Sequence, residues 1–231
     1  YELDGLGNRS WKQETYGVYE RSSFKLIEVN LEADEDKSKA ADSFVAFYEE
    51  FPESDTAAQA LNNASVYFRE VDRIDDSVRI RHILVEDPKF GPKTKYYYAQ
   101  IESLGGDYEK IANFERASFY YEKLWSLYPE ERKKREKEAP DTLDAMRATA
   151  GDAVYTAAVF QTALGHWETG IDNYNQFIKN YPEDDRIAEL RLRVAKIYED
   201  NSKWQDAANV FKSFYERPTK GASAELIYAA R

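Results

Sequence analysis

One spacing limits what this chain can fold into more than any other feature. A small residue is followed twelve positions later by a second small residue, and after twelve more by a proline. Gly105, Ala117 and Pro129 keep that interval, as do Ala158, Gly170 and Pro182. Ala40 leads to Pro52 by the same step, and Ala64, Asp76 and Pro88 keep it with an acid in the middle. Ala195 and Ala207 keep it again, with Pro218 one residue early. An aromatic usually stands four places after the second small residue: Phe44, Tyr121, Tyr174 and Phe211. Apolar residues at three- and four-residue steps mark amphipathic helices, and proline marks where a helix stops. Each unit therefore reads as two helices joined by a tight turn.

A single helix pair cannot bury its apolar face alone. Stacked pairs bury theirs against neighbours, giving a core that extends in one dimension. The small residues let helices approach closely and the rings fill the gaps between units. This predicts an all-α chain of about five repeats over residues 21–221, preceded by an arm or repeat remnant at 1–20. Residues 222–231, with Leu226, Ile227 and Ala230, are expected to start a further helix. Gly5 and Gly7 suggest an irregular start, with Ser10 capping a helix from Trp11. Asp75 and Asp76 are expected to cap the second helix of their repeat, Asn113 that of the next. Gly105 fits a close helix approach, and Gly106 could mark a break. Of the adjacent Tyr96, Tyr97 and Tyr98, at least one should point away from the core. Residues 130–143 form an insertion, where mixed acids and bases predict a solvated helix halted by Pro140.

Composition narrows the function classes. Hydrophobic residues make up 42% of the 231, enough for a continuous core. A formal charge of −11 disfavours a nucleic-acid partner, which needs a basic face to displace counterions. No apolar run approaches the length of a membrane span. Without cysteine there can be no disulfide, thiolate chemistry or Cys-ligated zinc. The two histidines, His82 and His166, have no motif partners and read as structural. No metalloprotease, phosphate-loop or nucleophile-elbow pattern occurs. The reading is therefore of no catalytic residue, metal or cofactor, and the oligomeric state stays open. Tyr1 and Arg231 read as the ends of a fragment or processed chain.

Leu104-Gly105, Tyr108, Ala117, Tyr121 and Pro129 resemble the Leu-Gly-x2-Tyr, Ala-x3-Phe, Pro pattern of the tetratricopeptide repeat. The resemblance covers nearly all of 21–221 and implies a right-handed superhelical solenoid. It also implies that the first helix of each pair lines a concave surface for a protein or peptide partner. The outward positions are then Leu61, Ser65, Phe68 and Arg69; Glu102 and Lys110; Tyr155, Val159 and Thr162; and Leu192, Lys196 and Glu199. Asn62 and Asn63 are out of phase for a clamp on a chaperone's terminal carboxylate. Phe51-Pro52-Glu53-Ser54 and Tyr181-Pro182-Glu183-Asp184 are similar to turns of bacterial cell-envelope repeat proteins, both outer-membrane assembly lipoproteins and periplasmic cell-division coordinators. This implies a periplasmic scaffold in an envelope complex, with the cytoplasm as the alternative. A second reading is the repeat region of a larger multidomain protein, an enzyme included, whose active domain lies elsewhere.

Overall fold

The computed structural model describes residues 5–216, with side-chain burial from Gln13 onward. Ten α-helices and two 3-10 turns account for the regular structure there, and no strand occurs among the described residues. The helices are α1 (Gly5–Asp34), α2 (Lys37–Glu50), α3 (Ala57–Glu70), α4 (Ile74–Glu86), α5 (Tyr97–Lys110), α6 (Phe114–Glu138), α7 (Leu143–Ala163), α8 (Trp167–Asn180), α9 (Ile187–Asp200) and α10 (Trp204–Glu216). The further helix predicted over 222–231 lies outside the described residues.

The chain divides into two compact units, residues 1–111 and 112–231. In the first, α1 packs on α2, α2 on α3, α3 on α4 and α4 on α5. In the second, α6 packs on α7, α7 on α8, α8 on α9 and α9 on α10. Within each unit, each helix meets its sequence neighbours, the serial order of a repeat stack.

The turn inside each pair repeats one backbone device. Glu35, Asp72, Ala112, Gly165 and Ser202 all have positive φ, between 54° and 87°. Each stands just beyond the first helix of its pair. In three turns the amide three residues past the helix end donates to a carbonyl five back: Arg73 to Phe68, His166 to Gln161 and Lys203 to Tyr198, at 2.8–2.9 Å. This is the Schellman closure, which satisfies carbonyls the helix end would leave open. Only one of the five positions is glycine, the residue with no steric penalty there.

The connection between pairs also recurs. Ser54 N–H donates to the Phe51 carbonyl at 3.0 Å, and Asp184 N–H to the Tyr181 carbonyl at 3.0 Å. Ser54 Oγ then accepts from Thr56 N–H, and Asp184 Oδ1 from Arg186 N–H. The rings before the prolines, Phe51 and Tyr181, are buried. The hydroxyl and the carboxylate do the same work at the same place.

The core of the first unit is aromatic. Phe24 lies 5.3 Å from Phe44 and 5.2 Å from Phe47 between ring centroids, and Phe47 lies 5.0 Å from Phe51. Each ring so buried contributes roughly 1.5–3 kcal/mol through area removed from water. In the second unit Tyr174, Phe177 and Tyr181 hold the equivalent place with Val154, Ile171 and Val194. Gly170 shows why a small residue is needed. A Cβ there would stand 2.2 Å from Thr162 Oγ1 and 3.2 Å from the Ala158 carbonyl oxygen.

Several expectations are corrected. The first helix starts at Gly5, ahead of Trp11, and runs unbroken to Asp34. Helix α5 passes through Gly106 without a break. Asp75 and Asp76 lie within the first turn of α4, and the residue at its N-cap is Arg73. The buried small residue of that helix is Ser77, whose Oγ is 2.9 Å from the Ser65 carbonyl oxygen. Thus the twelve-residue step there runs from Ser65 to Ser77, one place later than Ala64 to Asp76. Asn113 does cap α6, accepting from Arg116 N–H at 3.1 Å. Pro129, however, sits inside α6. It removes one interior N–H, but buried Tyr128, stacked on Trp125 at 5.9 Å, holds the helix just before it. Beyond it, Arg135 pairs with Glu131 and Arg132 with Glu136, one turn apart. The helix ends at Glu138, and Pro140 opens a 3-10 turn. Of the three adjacent tyrosines, Tyr98 is buried, while Tyr96 and Tyr97 are only partly so.

Candidate interaction faces

The first helices were expected to carry the site, so their open faces decide where a partner could touch. On α3 the buried set is Ala57, Ala60, Leu61, Ala64, Ser65 and Phe68. Leu61, Ser65 and Phe68 are fully withdrawn from solvent and cannot line a groove. The reason is geometric. A helix inside a stack touches the helices on both sides, here α2 and α4, so its buried arc is far wider than one stripe. The outward residues of α3 are instead Gln59, Asn62, Asn63, Val66 and Glu70, each partly or well exposed.

Arg69 is exposed at its edge but engaged, its Nε 2.8 Å from Asp107 Oδ1. That contact belongs to a polar knot beneath the α3–α5 face. Arg81 Nε donates to Asp107 Oδ2 at 2.8 Å, and Arg81 Nη1 to Gln100 Oε1 at 2.6 Å. Gln100 Nε2 donates on to Asn62 Oδ1 at 2.8 Å. Ser77 Oγ lies 2.8 Å from Asp107 Oδ2 and 3.1 Å from Arg81 Nε. Arg81, Gln100, Asp107 and Ser77 are all buried. Burial lowers the pKa of Arg81, with Asp107 opposing the shift. The knot ties three helices together and fixes the amide of Asn62 at the surface. Sequence reading missed it, although a signal exists: Ser77–Arg81 and Gln100–Asp107 are polar pairs spaced by whole turns on otherwise apolar stripes. Glu102 and Lys110 are exposed on α5, and Lys110 pairs with Asp72.

In the second unit the face between α7 and α9 is better filled. Tyr155 is half-buried, its ring 6.1 Å from Tyr174 and 5.7 Å from Phe177. The Arg186 guanidinium lies 4.8 Å from the Tyr155 centroid and 4.7 Å from that of Phe177. It donates to Asp184 at 2.9 Å and to Asp152 at 3.1 Å. The Asp184 hydrogen bonds, then those of Asp152, raise the pKa of Arg186; the same contact holds the Asp184 carboxyl below its ordinary range. Val159 is partly exposed beside this platform. Thr162 turns its hydroxyl back to the Ala158 carbonyl at 2.7 Å and serves the α7–α8 contact. Leu192 packs toward Ala188 and Phe214. Lys196 is exposed, 2.8 Å from Glu199 and 3.3 Å from Asp200. Tyr155 and Val159 are thus partly exposed on α7 and Lys196 is exposed on α9, while Thr162 and Leu192 are directed toward their neighbours.

The histidines have partners. His82 stands 2.7 Å from both Glu86 Oε1 and Tyr108 Oη, clasping α4 to α5. His166 lies at the α8 N-cap, its Nδ1 2.9 Å from Gln161 Oε1. Among the described residues no helix is long and apolar enough to cross a membrane, and no cluster of His, Asp and Glu is arranged for a metal ion.

These features define an all-α helical-repeat protein. Residues 152–184, spanning most of α7, all of α8 and the turn after it, match the tetratricopeptide repeat family. No curated relative matches the chain. Among solved structures, it is similar to the TPR-like repeats of a putative kinesin light chain from Podosopora anserina, at 11% identity over 91% of this chain and 93% of that one, with a TM-score of 0.47. A tetratricopeptide repeat protein from Parabacteroides merdae shows 15% identity over 91% and 84%, with a TM-score of 0.40. The TPR2AB domain of yeast Sti1, in complex with pHSP90, shows 14% identity over 94% and 99%, with a TM-score of 0.35.

Proposed function

We propose that this chain is a non-catalytic protein–protein interaction scaffold that holds a peptide or helix of a partner on the open faces of its first helices. The observation that supports this most directly is the α7–α9 face, where Arg186 is fixed over Tyr155 and Phe177 by two carboxylates. An aromatic and guanidinium surface held still before a partner arrives loses little entropy on binding. The α3–α5 face is built similarly, with Asn62 positioned by the buried knot. The setting we propose is a bacterial envelope complex in the periplasm, supported by the likeness of the Phe51-Pro52 and Tyr181-Pro182 turns to those of envelope repeat proteins.

The test is selection of peptides on the full chain, followed by amide hydrogen exchange with the peptide bound. Protection is expected on α3, α5, α7 and α9. Val66→Glu and Lys196→Glu change outward side chains and are expected to weaken capture about tenfold, a loss of about 1.4 kcal/mol, without loss of helicity. Undiminished capture by both variants, or protection confined to the second helices, overturns the reading.

A further inference from the structure

We propose that the cavity of about 250 Å³ where α8 and α10 flank α9 binds an apolar group that carries a carboxylate. Its apolar surface comes from Ile178, Val194 and Val210, one from each helix. Asn175, Asn209 and Ser213 add amides and a hydroxyl, and among the described residues Arg191 is the one charged lining residue. In a chain of net charge −11, a cavity lined among the described residues by a cation and by no acid is set apart from its surroundings.

The head group of Arg191 is directed from two sides. Its Nη2 donates to Ser213 Oγ at 2.8 Å, and its guanidinium lies 5.7 Å from the Phe214 ring centroid. Partial burial pushes its pKa down, and an anion placed beside it opposes that shift by favouring the charged form. A planar guanidinium favours carboxylate over other partners because two N–H groups match two oxygens. The volume is below the ~300 Å³ typical of the smallest drug-sized sites, so it suits one side-chain-sized group. Branched aliphatic acids and peptide chain ends terminating in an apolar residue share this chemistry. The cavity shares no residue with the open faces proposed above, so either reading can fail alone.

The test is a nuclear magnetic resonance titration of the full chain with acetyl-Ala-Leu as free acid, the same peptide as amide, and 4-methylpentanoate. The acid is expected to shift the side-chain amide signals of Asn175 and Asn209, and to bind at least about fivefold tighter than the amide. Tighter binding by the peptide acid assigns a chain end, and equal or tighter binding by 4-methylpentanoate assigns a small molecule. Arg191→Gln should bring the acid down to the amide's level. Val210→Trp, which fills the cavity from a partly exposed position, should abolish both sets of shifts even if Arg191→Gln fails to fold. Equal binding of acid and amide, or no shift at about 20 mM ligand, overturns the proposal.

Discussion

Arg81 Nε lies 2.8 Å from Asp107 Oδ2, and the two side chains are 2% and 0% exposed. An ion pair so far from water joins α4 to α5, and through Arg69, Gln100 and Asn62 it reaches α3. Taking two charges out of water is costly, and their attraction offsets the cost only when both remain.

Removing one partner should therefore harm the protein more than removing both. Asp107→Ala leaves Arg81 buried without its counter-charge and is expected to cost about 3–5 kcal/mol. Arg81→Met combined with Asp107→Leu is expected to recover most of that. Urea unfolding followed by circular dichroism measures both. A double variant as unstable as the single one would show that the knot is not held by charge.

The positive-φ turns offer a gain. Ala112 and Ser202 occupy a conformation that costs a residue with a Cβ about 1–2 kcal/mol. Ala112→Gly and Ser202→Gly are each expected to stabilise by about 1 kcal/mol, less than the full strain because glycine loses more entropy on folding. Gly165→Ala, at φ 87°, should destabilise by a similar amount. Thermal melting of the three variants checks the signs.

Alkali should loosen the second unit through Tyr181. Burial, then the neighbouring Tyr128, pushes its phenol up to about 12. Its hydroxyl donates to the Arg147 carbonyl at 2.8 Å, and the Arg147 guanidinium lies 4.5 Å from its ring centroid. With the folded pKa above the unfolded value of 10, this contribution is complete below pH 10 and is lost as pH rises toward 12. Tyr181→Phe loses the hydrogen bond, about 1 kcal/mol at neutral pH, but cannot ionise. Its deficit against the parent is expected to shrink between pH 10 and 12, as read by denaturant unfolding at each pH. A constant deficit would refute the assignment.

The periodic spacing of Ala40, Gly105, Ala117, Gly170 and the prolines made the helix pairs legible, because a helix buries residues at fixed steps whatever it packs against. The Asn113 cap and the stop at Pro140 were legible for the same reason: each acts on the backbone within a turn of itself. The faces were not. Counting one buried stripe puts Leu61, Ser65 and Phe68 outward, whereas α3 has neighbours on two sides.

Arg81 and Asp107 show the same division. Their positions on α4 and α5 follow from local pattern, but 26 residues separate them, and only the packing of the two helices makes them a pair. Pro129 is the converse case, a local stop signal overruled where a buried tyrosine and a turn-spaced run of charges carry the helix onward. The sequence by itself determined which segments are helical and how they pair, since those properties depend on neighbours within a few turns. The tertiary structure alone decided which faces stay open and which charges are buried, since burial depends on what other segments bring.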